Sequence, residues 1–132
     1  MNDRDSRNHS ILNRIGTVMA ILVILSLLYD GFGKVTQSGA EVVAMRQIGF
    51  TPDALPVMGW LLLLCVALYA VPRTAIVGAV LLTAYLGGAF CATFRVHTPV
   101  PVLLAPVVFA VPVWLSLYMR SPAFRRLVRS GR

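Results

Sequence analysis

Negative charge is scarce in this chain. Its five acids are Asp3, Asp5, Asp30, Glu41 and Asp53, and they form no paired-carboxylate motif. Lysine is scarcer still, with Lys34 alone. The two cysteines, Cys65 and Cys91, are far apart and outside any Cys-x-x-Cys. His9 and His97 have no acid, cysteine or second histidine at ligand spacing, and a metal site needs three or four ligands. No phosphate loop or nucleophile elbow is present. These absences leave no catalytic residue and no metal site to nominate, so whether the chain is an enzyme stays open.

Polar surface is also in short supply. Charged residues make up 13% of the 132, about half the usual share of roughly 25% in soluble domains. Apolar residues make up 58%, and the mean hydropathy is +0.77. Such a chain cannot cover a water-facing surface, so the lipid bilayer is the expected partner. The net charge of +7 is a weak argument for nucleic acid. Its basic residues sit at the termini and in short gaps between apolar runs, not on one folded face. That is the distribution of charges flanking membrane spans.

What is abundant is long apolar sequence. Four runs read as membrane spans, at about 11–33, 55–71, 75–94 and 102–119, within a single domain covering 1–132. A basic tail, 120–132, follows. The first run ends in Tyr29-Asp30-Gly31-Phe32-Gly33-Lys34 without a small-x-small cleavage site, so it is expected to be an uncleaved span. Pro72-Arg73-Thr74 and Pro99-Val100-Pro101 make tight links. In the longest gap, Val42, Met45 and Ile48 recur at helical spacing, predicting a short amphipathic helix over 40–48, with Glu41 and Arg46 on its wet face. The fold class is therefore all-α: an integral membrane four-helix bundle with a short amphipathic helix between spans one and two.

Orientation follows from the basic residues. Nine of them fall on the side of the two termini and the second loop, and three (Lys34, Arg46 and Arg95) on the other. The positive-inside rule then predicts cytoplasmic termini.

A disulfide is not expected. Cys65 lies about 9 Å and Cys91 about 24 Å along their spans from the same side, whereas bridged Cα atoms are about 4.4–6.8 Å apart. Ala84, Gly88 and Ala92 recur every four residues, beside a parallel strip of Thr83, Gly87 and Cys91. Small residues at that spacing let helices approach closely in lipid, and the strip is expected to pack helices, within the bundle or in a homo-oligomer. The volume missing at Gly87 and Gly88 can alternatively make room for a flat ligand. Asp30 and Lys34 are four apart, an ion-pair spacing on a helix. They read either as a boundary anchor or as a ligand site, since ionisable groups in membranes are functional candidates. Glu41 and Arg46 could gate a cavity only if the short helix folds into the bundle, and Arg95, which caps the outer turn, is a further candidate ligand residue. Pro106 and Pro112 predict a kinked fourth span, with Trp114 and Tyr118 near the headgroups.

Several stretches together resemble the DoxX-like family of small four-helix membrane proteins. They are Gly31-Phe32-Gly33-Lys34, Glu41 to Phe50, Pro72-Arg73-Thr74-Ala75, Gly78 to Thr83, Leu86-Gly87-Gly88-Ala89, Arg95-Val96 with Pro99, and Arg120-Ser121-Pro122. The resemblance implies a location in the bacterial inner membrane and an association with membrane oxidoreductase complexes, with quinone as a candidate cofactor. Similar sequences place a histidine near the end of the third span, where this chain has Thr93. Three functions follow as expectations. The first is a non-catalytic accessory subunit of a redox-associated membrane complex. The second is a subunit that binds a quinone or another lipophilic molecule, and the third is a small-solute transporter.

Overall fold

The computed structural model describes residues 3–130. All regular structure among them is helical: α1 Asp3–Val35, α2 Gly39–Gln47, α3 Ala54–Ala70, α4 Ala75–Arg95, α5 Val100–Arg120 and α6 Pro122–Ser130. Three helices are long and apolar enough to cross a membrane: the Ser10–Val35 part of α1, α4 and α5. The expected second span, α3, is a shorter apolar helix of 17 residues. At the helical rise it is about 26 Å long, a few Å less than a hydrocarbon core of about 30 Å.

Residues 3–10 belong to α1, which begins at Asp3, ahead of the expected first span. The basic tail contains a helix of its own, α6. Ser121 starts it, its Oγ accepting the Phe124 N–H at 3.2 Å. Pro122 follows at the first helical position, where its missing N–H costs nothing.

The packing is a closed ring. α1 lies against α3 and α5, and α4 lies against the same two helices from the opposite side. The core is drawn from all four: Val23 and Leu27 of α1, Leu62, Val66 and Tyr69 of α3, Ala79 and Leu82 of α4, Val113 and Leu117 of α5. The outward faces are apolar too, including Leu22, Leu61, Val80 and Val108. Helices apolar all round have no wet face to separate from a greasy one, which is the pattern of helices solvated by lipid.

Glycine sets the closest approaches. A Cβ at Gly59 would lie 2.8 Å from the Val35 backbone nitrogen and 2.9 Å from the Gly31 carbonyl, so α1 and α3 cross there almost backbone to backbone. A Cβ at Gly78 would overlap the Tyr69 backbone, and one at Gly16 would come within 2.6 Å of the Met119 Cβ. The helix ends facing α2 share one device. Gln37, Gly49 and His97 take positive φ angles of 51°, 80° and 53°. The next N–H then reaches back five residues: Ser38 to Gly33, Phe50 to Met45, and Thr98 to Thr93. This is the Schellman termination, and only one of the three uses the glycine it prefers.

Candidate functional site

The ring has two ends. At the first lie the start of α1, the α3–α4 link, the end of α5, and α6. Tyr69 is fully buried there, its hydroxyl 2.5 Å from the Ser116 Oγ and donating to the Val113 carbonyl at 3.0 Å. Arg120 donates to the Tyr69 carbonyl at 2.8 Å and stacks 4.7 Å above its ring. Trp114 donates its indole N–H to Thr83 at 2.8 Å and packs against Phe124 of α6. Every polar group in this cluster has a partner. It ties α3, α5 and α6 together.

The other end is open. Lys34, on the last turn of α1, bonds Asp30 one turn earlier at 2.5 Å and reaches Glu41 of α2 at 3.3 Å. Glu41 was expected on the wet face of the short helix. It instead shares the inward face with Met45 and Ile48, since positions 41, 45 and 48 follow a helix's four-then-three stagger. Met45 is buried and Arg46 is exposed, as the pattern predicts.

Beside this ion cluster a groove of about 670 Å³ opens between α1 and α5. Its floor includes Leu27, Leu86, Ala89 and Phe109, and Tyr85 of α4 stands at the back. Its rim is exposed: Leu25 and Tyr29 on α1, Val102 and Ala105 on α5. Asp30 and Lys34 are the charged wall residues. A second groove of about 250 Å³ continues along the same seam, between Met19, Leu22 and Val23 of α1 and Val108 and Pro112 of α5. The two share Ser26 and Phe109 as walls. From Lys34 to Met19 the seam runs about 22 Å along α1 at the helical rise.

Both prolines inside α5 border the seam. Each removes the N–H that would bond the carbonyl four residues earlier and pushes the helix away from straightness. Pro106 and its deprived partner Val102 both line the large groove, and Pro112 and Val108 both line its continuation.

The structure brings together Asp30, Lys34 and Glu41 and separates the other nominated residues from them. Arg95 is exposed at the C-terminal end of α2, its guanidinium 3.5 Å from the Ile48 carbonyl. Ala84, Gly87 and Gly88 face outward, and a Cβ on either glycine would meet nothing within 4 Å, while Ala92 is half-buried. Within one chain, therefore, the strip Ala84–Gly88–Ala92 is not where helices press together; Gly31–Gly59 and Gly78–Tyr69 are. Gly87 does border a small groove of about 250 Å³ on the α4–α5 seam, but Gly88 does not. Thr93 bonds back to the Ala89 and Phe90 carbonyls of its own helix. Cys65 is buried and Cys91 exposed, and neither is bonded to the other.

The residue sequence reasoning missed is Tyr85. It lies on the inward face of α4, in line with Gly78, Leu82 and Ala89, and within electrostatic reach of Asp30 and Glu41. A polar-tipped aromatic at an inward register of an otherwise aliphatic helix was the signal.

A model of the DoxX-like family matches residues 18–116. The chain belongs to the DoxX-like family. The match takes in the Asp30–Lys34–Glu41 cluster, the whole of α3 and α4, and both prolines of α5. As a DoxX-like protein it shares no detectable kinship with a curated protein or a solved structure, since neither comparison gives a match.

Proposed function

We propose that this DoxX-like protein is a four-helix bundle spanning the bacterial inner membrane with both termini in the cytoplasm. In this reading it serves as a non-catalytic subunit of a membrane redox complex, and its own task is to hold a long lipophilic molecule in the α1–α5 seam. One observation carries it: two adjoining apolar grooves on the α1–α5 seam that share Ser26 and Phe109, the larger charged at one end and rimmed by exposed residues of two lipid-facing helices. A ligand arriving from the bilayer could enter sideways, with its tail along Phe109 and Met19 and its polar group beside Asp30 and Lys34. The surplus of arginine at the termini and at Arg73 supports the orientation.

Native mass spectrometry of gently extracted protein tests the reading. Wild type should retain a lipophilic molecule at least about tenfold more than Ala105→Trp, whose indole fills the groove. Equal retention by both proteins refutes the seam as a site. Crosslinking in intact membranes tests the subunit role, which predicts a defined partner band.

A second reading, that the occupant is a quinone, draws on two donors. Lys34 has three ammonium hydrogens and two carboxylate partners. Tyr85 makes no hydrogen bond among the described residues. Both could donate to ring carbonyls.

A further inference from the structure

We infer that the polar group seated at the charged end of the α1–α5 seam is an ammonium cation carried on an apolar tail. The inference rests on the seam being a binding site and names the chemistry of its occupant.

Charge comes first. Lys34 is held between two carboxylates, so with all three ionised the cluster carries a net charge of −1. An anionic head group brought here loses its water and meets like charge in a poorly screened site. A cation meets the opposite sign.

Availability points the same way. The Lys34 side chain is only 15% exposed and is engaged by both acids, whereas that of Asp30 is 40% exposed and bonds Lys34 through Oδ1 alone. The free hydrogen-bonding capacity of the pair is thus mainly acceptor, on the Asp30 carboxylate that forms part of the groove wall. A primary ammonium has three donors to offer it. A carbonyl finds only the third Lys34 hydrogen and the Tyr85 hydroxyl, and it leaves the exposed Asp30 oxygen unmatched. The rings of Tyr29, Tyr85 and Phe109 line the same groove, and aromatic faces attract cations. The narrower continuation past Phe109 suits an alkyl or acyl tail. Two sources share this chemistry: an ethanolamine phospholipid of the bilayer, and a free lipophilic amine.

The test uses the full chain in neutral maltoside micelles, titrated with decylammonium, a decyl-substituted benzoquinone and decanoate, with occupancy read by native mass spectrometry. Decylammonium should bind at least about tenfold tighter than the other two, a difference large enough to resolve in apparent Kd. Asp30→Asn should erase that advantage and leave quinone binding unchanged, and Asp30→Glu should keep it. Where Asp30→Asn does not fold, Glu41→Gln serves, because it brings the cluster to neutrality from α2. The inference is overturned if the quinone or decanoate matches the amine on wild type, or if the amine's advantage survives both neutralising variants. Binding of none of the three, or equal binding by Ala105→Trp, instead removes the seam itself. A final arm adds phosphatidylethanolamine or phosphatidylglycerol to the micelles. Asp30-dependent retention of the first identifies a bilayer lipid as the source, and preference for decylammonium alone identifies a free amine.

Discussion

The two ends of the helix ring use the same four helices to opposite effect. At the Tyr69 end, α4 meets α3 through Ala75, Gly78 and Ala79, and the backbones touch. The Tyr69 hydroxyl then bonds Ser116, and Arg120 bonds the Tyr69 carbonyl. At the Asp30 end, α4 presents Tyr85 and Ala89 across an open groove, and Pro106 and Pro112 of α5 border the seam. Packing in lipid is driven by contact and not by exclusion of water, so the Tyr69 end and the Gly31–Gly59 crossing of α1 with α3 hold the fold together. The α1–α5 side of the Asp30 end can leave volume unfilled because those contacts do not.

The hardest blow to that asymmetry is a side chain at Gly78. Its Cβ would overlap backbone atoms of Tyr69 and Leu68, which cannot swing aside as a side-chain tip can. Gly78→Val is expected to cost about 3 kcal/mol, the upper part of the usual overpacking range, or to abolish folding. Thermal unfolding in detergent, followed by helicity, measures it; a melting temperature like that of wild type would mean that α3 and α4 do not meet there.

Tyr69→Phe is milder. It removes the hydroxyl that joins Val113 and Ser116, while Ser116 keeps its own bond to the Val113 carbonyl at 3.1 Å. A loss of about 1–2 kcal/mol is expected, the cost of deleting one partner of a buried hydrogen bond.

The helices were legible in the sequence because hydropathy, proline and charge each mark them independently. Span bounds of 75–94 and 102–119 meet α4 and α5 within two residues at each end, and the short amphipathic segment is α2. The family was legible too, from ordered fragments such as Gly31 to Lys34. The α1–α5 seam was not. Apolar helices carry large residues on every face, so periodicity does not say which side of α1 looks inward. Glu41 was placed on the wet side for a different reason: a charge beside Val42, Met45 and Ile48 on a short amphipathic helix reads as solvated until its partner Lys34 is seen. The ambiguity of apolar faces is why the strip at Ala84–Gly88 suggested contact, when the tight crossings lie at Gly31, Gly59 and Gly78. The Asp30–Lys34 pair was readable because both members belong to one helix; Glu41 joins it only once α2 folds back.

At the open end, substitutions should act on binding more than on stability. His97 ends α4 with a φ of 53°, a left-handed conformation that costs an L residue about 1 kcal/mol or more relative to glycine. His97→Gly should therefore raise stability by up to about 1 kcal/mol. No gain would show that the αL turn is not populated. Asp30→Asn, which breaks a partly exposed ion pair, should shift stability by less than about 1 kcal/mol while removing the amine preference. A collapse of the fold would instead make the ion cluster a structural anchor, and the contrast between the ends would narrow.

The smallest expected effect is the most discriminating. Gly88 lies near the Asp30 end, faces outward, and has no heavy atom within 4 Å of an added Cβ. In a single chain surrounded by lipid, Gly88→Ala should be neutral or stabilising by up to about 1 kcal/mol, because alanine is the better helix former. Oligomeric state should not change. If the strip Ala84–Gly88–Ala92 instead seats a second copy of the chain, the added methyl group would hold the backbones apart. Melting temperature and dimer fraction would then fall together, and Gly88→Leu would deepen both losses. Gly78 and Gly88 lie ten residues apart on one helix. Measuring them side by side separates a glycine required by contact inside the chain from one that contacts nothing within it.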